Sequence, residues 1–190
     1  MGTKVLMDVP ELIALRDGPR VHIRPVRRGD RDRFEDGFTR LSSESRYRRL
    51  LGFKKRLTEE ELAFFTEAEG PGHEALGALD PATGEGVGVA RHVRLADDED
   101  TAEASVVVVD AWQGRGVGWA LLERLAMLAH AAGIRRFVAT LLPENREMLH
   151  LFERLGPVEL RSGGRTLELN VELEERPAAI AGPAGPRARA

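Results

Sequence analysis

A glycine-rich turn follows the most apolar stretch of the chain and is the clearest candidate for chemistry. Four consecutive valines, Val106 to Val109, are typical of a strand buried in a sheet. The turn from Gln113 to Gly118 (QGRGVG) comes next, and apolar residues then recur at helical spacing from Trp119 to His130. Such a turn at a helix N-terminus leaves backbone N–H groups without helical acceptors, and the helix dipole adds partial positive charge. The pattern predicts a site for a phosphate or pyrophosphate group.

Two common nucleotide-binding motifs do not fit this turn. A Rossmann site carries its glycines after the first strand and an acidic residue about 20 positions later. Here the glycines follow the fourth predicted strand, and the stretch from His130 to Gly133, near that offset, holds no carboxylate. A P-loop does not fit either, because no Gly-Lys-Ser/Thr follows. A different nucleotide and a purely structural turn remain open as alternatives.

The composition of the 190 residues excludes several kinds of site. The chain has no cysteine, which rules out disulfides, thiolate nucleophiles and cysteine metal ligands. Its five histidines show no paired spacing, so no metal site is expected. A formal charge of −3 and a pI near 6.0 argue against general nucleic-acid binding, although Arg20 to Arg56 is markedly basic.

The length and the N-terminus indicate a soluble protein. The chain is long enough for one domain with tails. Its apolar segments are far shorter than the roughly 20 residues of a membrane span. The N-terminus carries acids early and has no signal-type apolar run. We therefore expect a cytoplasmic protein with no membrane partner.

The first third of the sequence predicts one strand and two or three short helices. Residues 1 to 19 show no clear pattern, although Pro10 to Arg16 could form one or two helical turns. Val21 to Val26 alternates as a strand, and Pro25 favours a position at the sheet edge. The expected helical segments start near Gly29, Ser42 and Thr58. The capping box Thr58-Glu59-Glu60-Glu61 begins the last of them.

The remainder predicts a sheet with one parallel crossover. Three strand candidates in succession should form an antiparallel meander. A strand, a helix and a further strand follow, which implies a parallel neighbour, and then a second helix and a closing hairpin. The order is β–α–α–α–β–β–β–α–β–α–β–β, an α/β fold around one mixed sheet. The strand candidates are 73–79, 86–95, 101–109, 136–142, 158–161 and 166–173.

Several separated segments resemble the acyl-CoA N-acetyltransferases of the GNAT superfamily. The run VHIRPVRRGD…RLSSESRYRRL…LTEEEL…TAEASVVVVDAWQGRGVG…ENREMLHLFERLG is similar to the acetyltransferase domain of bacterial Pat-type protein-lysine acetyltransferases. The likeness covers roughly Val21 to Leu173. It implies a mostly antiparallel sheet of six to seven strands flanked by helices, with a splayed parallel strand pair holding acyl-CoA. The expected organisation is an N-terminal extension (1–20), the acetyltransferase domain (21–176) and a disordered Ala/Gly/Pro-rich tail (177–190).

The resemblance also implies an acetyl-CoA site without a metal. In that family a Q/R-x-x-G-x-G/A turn binds the CoA pyrophosphate through backbone amides, and the strand before it pairs with pantetheine. An Asn at the start of the following helix often contacts the CoA arm, although Asn145 is equally well explained as a helix N-cap. The implied cofactor-binding residues are Val106, Val107, Val108, Gln113, Gly114, Arg115, Gly116, Val117, Gly118, Trp119 and Asn145.

A carboxylate is expected to accept the proton of the acceptor amine. A lysine amine has a pKa near 10.4, so at neutral pH it must lose a proton before it attacks a thioester. Glu103 lies where Pat-type enzymes carry their proposed general base, and Asp110 and Glu144 are its nearest rivals by sequence. The plain alternative for Glu103 is a solvated acid at a strand start. A backbone N–H near Val108 is expected to bind the oxyanion.

One position departs from the family pattern. Many GNAT enzymes place a Tyr seven residues after the helix Asn to protonate the departing thiolate, and this chain has Phe152 there. The implied activity is still transfer of acetyl from acetyl-CoA to a primary amine, with protein lysine the leading acceptor. A small amine or amino-acid acceptor is the alternative enzyme, and a catalytically weak CoA-binding regulatory module is the alternative from another class. Both a monomer and a homodimer are compatible with the sequence.

Overall fold

The computed structural model of the chain describes residues 10–16, 18–50, 54–68 and 70–174, with backbone alone at 49 and 50. The predicted disordered tail lies outside these residues. The strands are β1 (Glu11–Ala14), β2 (Arg20–Pro25), β3 (His73–Leu79), β4 (Gly86–Leu95), β5 (Asp98–Val108), β6 (Arg136–Leu141), β7 (Val158–Ser162) and β8 (Leu167–Glu172). The helices are α1 (Arg31–Thr39), α2 (Ser43–Leu50), α3 (Glu59–Thr66), α4 (Val117–Ala131) and α5 (Arg146–Glu153). Short 3₁₀ turns occupy Arg28–Asp30 and Asp110–Trp112.

The eight strands form one mixed sheet in the order β1-β2-β3-β4-β5-β6-β8-β7. Each neighbouring pair is antiparallel except β5 and β6, which are parallel. The α/β fold, the mostly antiparallel sheet, the central meander and the parallel crossover are thereby confirmed. The sheet has eight strands rather than six or seven because β1 adds a strand at its edge.

The segment around β1 is extended, so the prediction of helical turns from Pro10 to Arg16 is wrong. Ile13 lies opposite Val21 in an antiparallel ladder with β2. The Glu11 carboxylate accepts hydrogen bonds from the Arg124 guanidinium of α4, at 2.7 and 3.0 Å. A segment this short cannot nucleate a stable helix alone. On the side away from β3, the backbone of β2 offers hydrogen-bond partners to an extended chain, and β1 takes them.

The strand β2 is interior, so the prediction that Pro25 marks a sheet edge is also wrong. β2 pairs with β1 on one side and with β3 on the other. The N–H of Val26 donates to Ala75 O on β3 at 2.9 Å, so the backbone of the preceding Pro25 points the opposite way. On that side β1 begins opposite Ile23 and does not reach the proline. Pro25 therefore needs no donor at its position.

Helix α4 packs closely against one face of the sheet. This packing fixes the distance between the sheet and the glycine-rich turn at the N-terminus of α4. Its side chains Leu121, Leu122 and Leu125 are fully buried. Gly88 of β4 lies directly beneath, where a Cβ atom would come within 3.1 Å of Leu121 Cδ1 and 3.2 Å of Val117 Cγ1. A glycine at this position lets the first turn of α4 approach the strands.

A buried ion pair anchors the start of α1 to β2 on the opposite face. The Arg24 guanidinium donates to both Asp30 carboxylate oxygens, at 2.5 and 2.7 Å, and the Arg27 N–H donates to the same carboxylate at 2.8 Å. Burial raises the pKa of Asp30, but the hydrogen bonds from Arg24 and Arg27 outweigh it and hold the pKa below its ordinary value. The ionised form of Asp30 therefore stabilises the folded state.

Replacing Asp30 with Asn is expected to lower the free energy of unfolding by about 3 kcal/mol at pH 7, because Arg24 keeps its buried charge without a counter-ion. The folded-state pKa of Asp30 is depressed, so its contribution is present above its ordinary pKa of about 3.9 and is lost as the pH falls through the folded value. Urea titrations at pH 7 and below pH 4 measure both effects. Glu59→Gln, which breaks the exposed Arg31 pair, serves as the control and should change stability much less. An Asp30→Asn variant as stable as the parent at pH 7 contradicts the assignment.

Candidate functional site

The two parallel strands separate shortly after they meet. β5 and β6 pair only from Thr101 to Glu103, opposite Arg136 to Val138. Beyond that point β6 continues along β8 up to Leu141, and β5 keeps only its β4 partner. We call the open space between the diverging strands the seam. The predicted splayed parallel pair is thus present in the structure.

The backbone of β5 presents unpaired groups to the seam. The N–H of Val109 donates to Val87 O of β4 at 3.0 Å. Successive residues of a strand direct their backbone groups to opposite sides, so those of Val108, Val106 and Ala104 face away from β4. Ala104 still completes the last pair of the ladder with β6, and the groups of Val106 and Val108 point into the seam, where β6 no longer pairs with them. An extended ligand can bind there through main-chain hydrogen bonds.

A cavity of about 690 Å³ fills the seam and extends to the glycine-rich turn. Its wall combines β5, the turn, the first turn of α4, the end of β6 and α5. Arg115 does not line it, and the Arg115 guanidinium lies 5.3 Å from the Trp112 ring centroid instead. The other predicted site residues do line it, namely Glu103, Val106, Val107, Val108, Gln113, Gly114, Gly116, Val117, Gly118, Trp119 and Asn145.

The conformation of the turn requires glycine. Gly114 and Gly116 have φ values of +72° and +93°, in the left-handed region that other residues rarely adopt. Gly116 is the N-cap of α4, and the first helical bond runs from Ala120 N–H to Gly116 O at 3.0 Å. The amides of this first turn precede the helical ladder and face a cavity. At Gly118 a Cβ would lie 3.1 Å from Leu151 Cδ1 of α5, so the close approach of the two helices depends on it. The pyrophosphate site at this turn stays a prediction.

Polar side chains hold the turn against α2. Gln113 Nε2 donates to Val108 O at 2.9 Å and to Ser45 Oγ at 3.2 Å. The Asp110 carboxylate accepts from Ser42 N–H at 2.8 Å and from Ser45 Oγ at 2.9 Å. Because Gln113 already occupies the Val108 carbonyl, Val108 offers a ligand chiefly its N–H.

The Asp110 carboxylate has a structural environment rather than that of a general base. Burial raises its pKa, but the hydrogen bonds from Ser42 and Ser45 outweigh this effect and the pKa lies below its ordinary value. Both carboxylate oxygens are occupied by α2 and the residue before it. Glu144, the other rival to Glu103, does not line the cavity.

Glu103 occupies the point at which the strands diverge. It forms the last registered pair of the parallel ladder, with Val138, and it lines the cavity. Its side chain is exposed, and no hydrogen bond or ion pair to its carboxylate occurs within the described parts of the chain. A carboxylate here has the access that a proton acceptor needs. Its catalytic role stays a prediction.

The N-terminal end of α5 closes the cavity. Asn145 is almost fully buried and caps the helix, with its Oδ1 accepting from Met148 N–H at 3.3 Å. The N-cap interpretation is thus confirmed, and Asn145 also lines the cavity. Phe152, at the position of the usual Tyr, is completely buried and supplies no hydroxyl group.

Three cationic residues line the cavity, and two of them, Arg16 and Arg154, were not assigned from the sequence. Arg16 comes from the N-terminal segment, and its Cγ lies 4.0 Å from the position of a Cβ added to Gly116. The Arg154 guanidinium stacks 3.6 Å from the Trp119 ring centroid. Arg48 of α2 also lines the cavity while pairing with Glu44. No local pattern marks Arg16 and Arg154, because distant elements bring them to the cavity.

The neighbouring Arg46 has a structural role. Its guanidinium donates to Phe38 O at 3.0 Å and to Thr39 O at 2.9 Å, which satisfies carbonyls at the end of α1. The sequence favours a solvated helix face for the basic cluster Arg46, Arg48 and Arg49, with a contact to an acidic protein partner or the CoA 3′-phosphate as the alternative. In the structure Arg46 is half-buried and Arg48 lines the cavity. The side chain of Arg49 lies outside the described residues.

A second cavity of about 110 Å³ lies on the face of the sheet that carries α1 and α3. Its wall is mostly apolar, with Phe34, Phe38 and Phe65 among its residues. Ser105 and Val107 of β5 line both this cavity and the larger one. The middle of β5 is therefore a wall that the two cavities share.

Comparisons with known proteins agree with this geometry. A profile of the acetyltransferase (GNAT) family matches residues 36–156, which is more than half of the chain. The chain belongs to this family. Across the described segments, no helix is long and apolar enough to cross a membrane, and no group of three His, Cys, Asp or Glu side chains is placed to hold a metal ion.

Relatives of the chain include acetyltransferases that carry the name Pat. The chain is 34% identical over 152 residues to Acetyltransferase Pat of Mycolicibacterium smegmatis, and the match covers 80% of this chain and 45% of that protein. It is 32% identical over 150 residues to an acetyltransferase of Pseudomonas aeruginosa, covering 78% of this chain and 80% of the relative. The crystal structure of the GNAT domain of S. lividans PAT superposes with a TM-score of 0.80 at 32% identity, covering 86% of this chain and 97% of that one. The chain thus spans less than half of the mycobacterial Pat.

Proposed function

We propose that this chain transfers an acetyl group from acetyl-CoA to a primary amine, with a protein lysine side chain as the leading acceptor. The observation that carries the proposal is the seam, which ends at a glycine-rich turn suited to pyrophosphate and has Glu103 at its other end. Membership of the GNAT family and the similarity to Pat proteins support it.

The chain offers a separate group of contacts to each part of acetyl-CoA. The amides of the turn from Gly114 to Gly118 suit the pyrophosphate, and the Val106 carbonyl and the Val108 N–H suit the pantetheine amides. The cations Arg16, Arg48 and Arg154 add positive charge for the phosphates. The wall along β5 is compact and apolar, which leaves main-chain groups accessible.

The proposed reaction is a direct attack by the amine. Glu103 takes a proton from the ammonium group, directly or through water, and the neutral amine attacks the thioester carbonyl. The N–H of Val106, which faces the seam and lies nearer to Glu103 than the N–H of Val108, is the proposed oxyanion donor. The second cavity shares Ser105 and Val107 with the first, so an acceptor on that side lies against the strand that carries Glu103.

The buried Phe152 is the observation that favours a second candidate, a CoA-binding regulatory module without turnover. Incubation with acetyl-CoA and a panel of amines separates the candidates. The panel contains casein, Nα-acetyl-lysine methylamide, free amino acids and small diamines, and free thiol is followed over time.

Acceptor-dependent thiol release is expected, and mass spectrometry should show a gain of one acetyl group on lysine. Release with amino acids alone would identify the small-molecule alternative. Tight CoA binding by calorimetry without release from any acceptor contradicts the enzyme proposal and supports the binding module.

A further inference from the structure

Ser105 lies on the stretch of β5 that both cavities share as a wall. Among the described residues only Ser105 and Val107 line both spaces, and Ser105 is the polar member of the pair. Under the proposed function, one space holds the thioester and the other holds the amine. A hydroxyl on their shared wall is thus near both the bond that forms and the bond that breaks.

The register of the sheet places Ser105 beside the candidate base and a buried cation. Ser105 follows Glu103 by two residues, so their side chains share one face of β5 at a spacing of roughly 6.6 Å along the strand. Ser105 also lies opposite Arg91 of β4. Arg91 is 4% exposed, and its guanidinium donates to Phe64 O at 2.7 Å and Phe65 O at 2.5 Å. This fixed positive charge favours negative charge developing next to Ser105.

The departing thiolate needs a proton that the residue at position 152 does not supply. The side chain at position 152 is a phenylalanine and is completely buried. The attacking nitrogen, once bonded to the acyl carbon, carries a surplus proton. A hydroxyl between nitrogen and sulfur can accept one proton while it donates its own, because it has both a lone pair and an O–H group.

We propose that the Ser105 hydroxyl relays a proton from the attacking nitrogen to the departing sulfur, a role that rests on the proposed acetyltransferase function. The C–N bond forms as the amine adds to the carbonyl. Ser105 Oγ then takes the N–H proton and gives its own proton to sulfur as the C–S bond breaks. The products are the acetylated amine and free CoA thiol, and the serine is restored.

Ser105→Ala tests the relay with acetyl-CoA and Nα-acetyl-lysine methylamide or casein as the acceptor. The kcat for thiol release should fall about 100-fold, the lower end of the range for a lost proton transfer. The calorimetric Kd for acetyl-CoA should change less than about twofold, since β5 binds through its backbone. Ser105→Thr, which keeps the hydroxyl, should recover most of the loss. Ser162→Ala on the exposed strand β7 is the control and should behave as the parent.

Solvent isotope effects separate a relay from a packing effect. For the parent, kcat plotted against the deuterium fraction of the solvent should be curved, because two protons move in the relay. The same plot for Ser105→Ala should lose that curvature. An alanine variant with kcat within twofold of the parent overturns the relay and leaves the acetyltransferase function intact. A threonine variant no faster than the alanine variant also overturns the relay. A parent protein without acceptor-dependent release overturns both proposals.

Discussion

Replacing Glu103 with Gln is expected to lower kcat for acceptor-dependent thiol release by about 100- to 1,000-fold, the loss typical of a removed general base. The amide is close in size to the carboxylate but cannot take the ammonium proton. Binding of acetyl-CoA should be nearly unchanged, because Glu103 lies at the end of the seam remote from the turn. Stopped-time thiol assays at saturating acetyl-CoA measure the first effect, and calorimetry measures the second.

The pH dependence identifies the role of Glu103 more specifically. Without the base, only amine that is already neutral in solution can react, so the rate of Glu103→Gln should rise about tenfold per pH unit up to the amine pKa near 10.4. The parent should depend on pH less steeply near neutrality. Glu144→Gln is the matched control, since Glu144 is exposed and does not line the cavity. A Glu103→Gln variant within threefold of the parent contradicts the assignment.

Gly116→Glu is expected to weaken acetyl-CoA binding at least about 100-fold, equivalent to roughly 2.7 kcal/mol. Gly116 has a φ of +93° and forms the N-cap of α4, so a side chain strains the turn. The added carboxylate also places negative charge where the helix N-terminus attracts phosphate. Calorimetric titration with CoA measures the loss, and circular dichroism confirms that the variant is folded.

Gly133→Glu provides the matched control for Gly116→Glu. Gly133 follows the opposite end of α4 with a φ of +89°, and nothing lies within 4 Å of a Cβ added there. The backbone strain is therefore similar, but the substituted position is remote from the turn. CoA affinity of Gly133→Glu should match the parent. Equal affinity of Gly116→Glu and the parent contradicts the placement of the pyrophosphate.

Local sequence patterns were sufficient for most of the fold. The continuous valine run predicts β5, because a strand buried on both faces has no polar alternation. The helical spacing after Trp119 predicts α4, because a helix buried on one face has apolar residues that recur about every 3.6 positions. The capping box at Thr58 predicts α3, and the structure contains both of its hydrogen bonds. Each of these signals lies within one element.

Features that depend on a neighbour in space were not predictable in this way. β1 is extended because β2 has an open edge, and four residues carry too little pattern to show it. The insertion of β8 between β6 and β7 depends on the whole sheet. Pro25 is tolerated in an interior strand only because β1 stops before it reaches the proline.

The candidate site also contains features that local sequence shows and features that depend on neighbours in space. The glycine turn and Glu103 have recognisable types and spacing in the sequence. Arg16 reaches the turn from more than 90 residues away in sequence, and Ser105 has significance only because two cavities share it as a wall. The hydrogen bond from Gln113 to the Val108 carbonyl restricts which backbone groups of β5 can bind a ligand, and no sequence signal indicates it.

The brief pairing of β5 and β6 has a mechanical consequence. The ladder between β5 and β6 has three registered residue pairs. It joins the five strands from β1 to β5 to the three strands β6, β8 and β7. We expect the two halves to move relative to each other more easily at this short junction than at any of the longer ladders beside it. A ligand that lies along β5 and contacts α5 touches both halves and should restrict that motion. Substrate occupancy and the stiffness of the domain should therefore rise together.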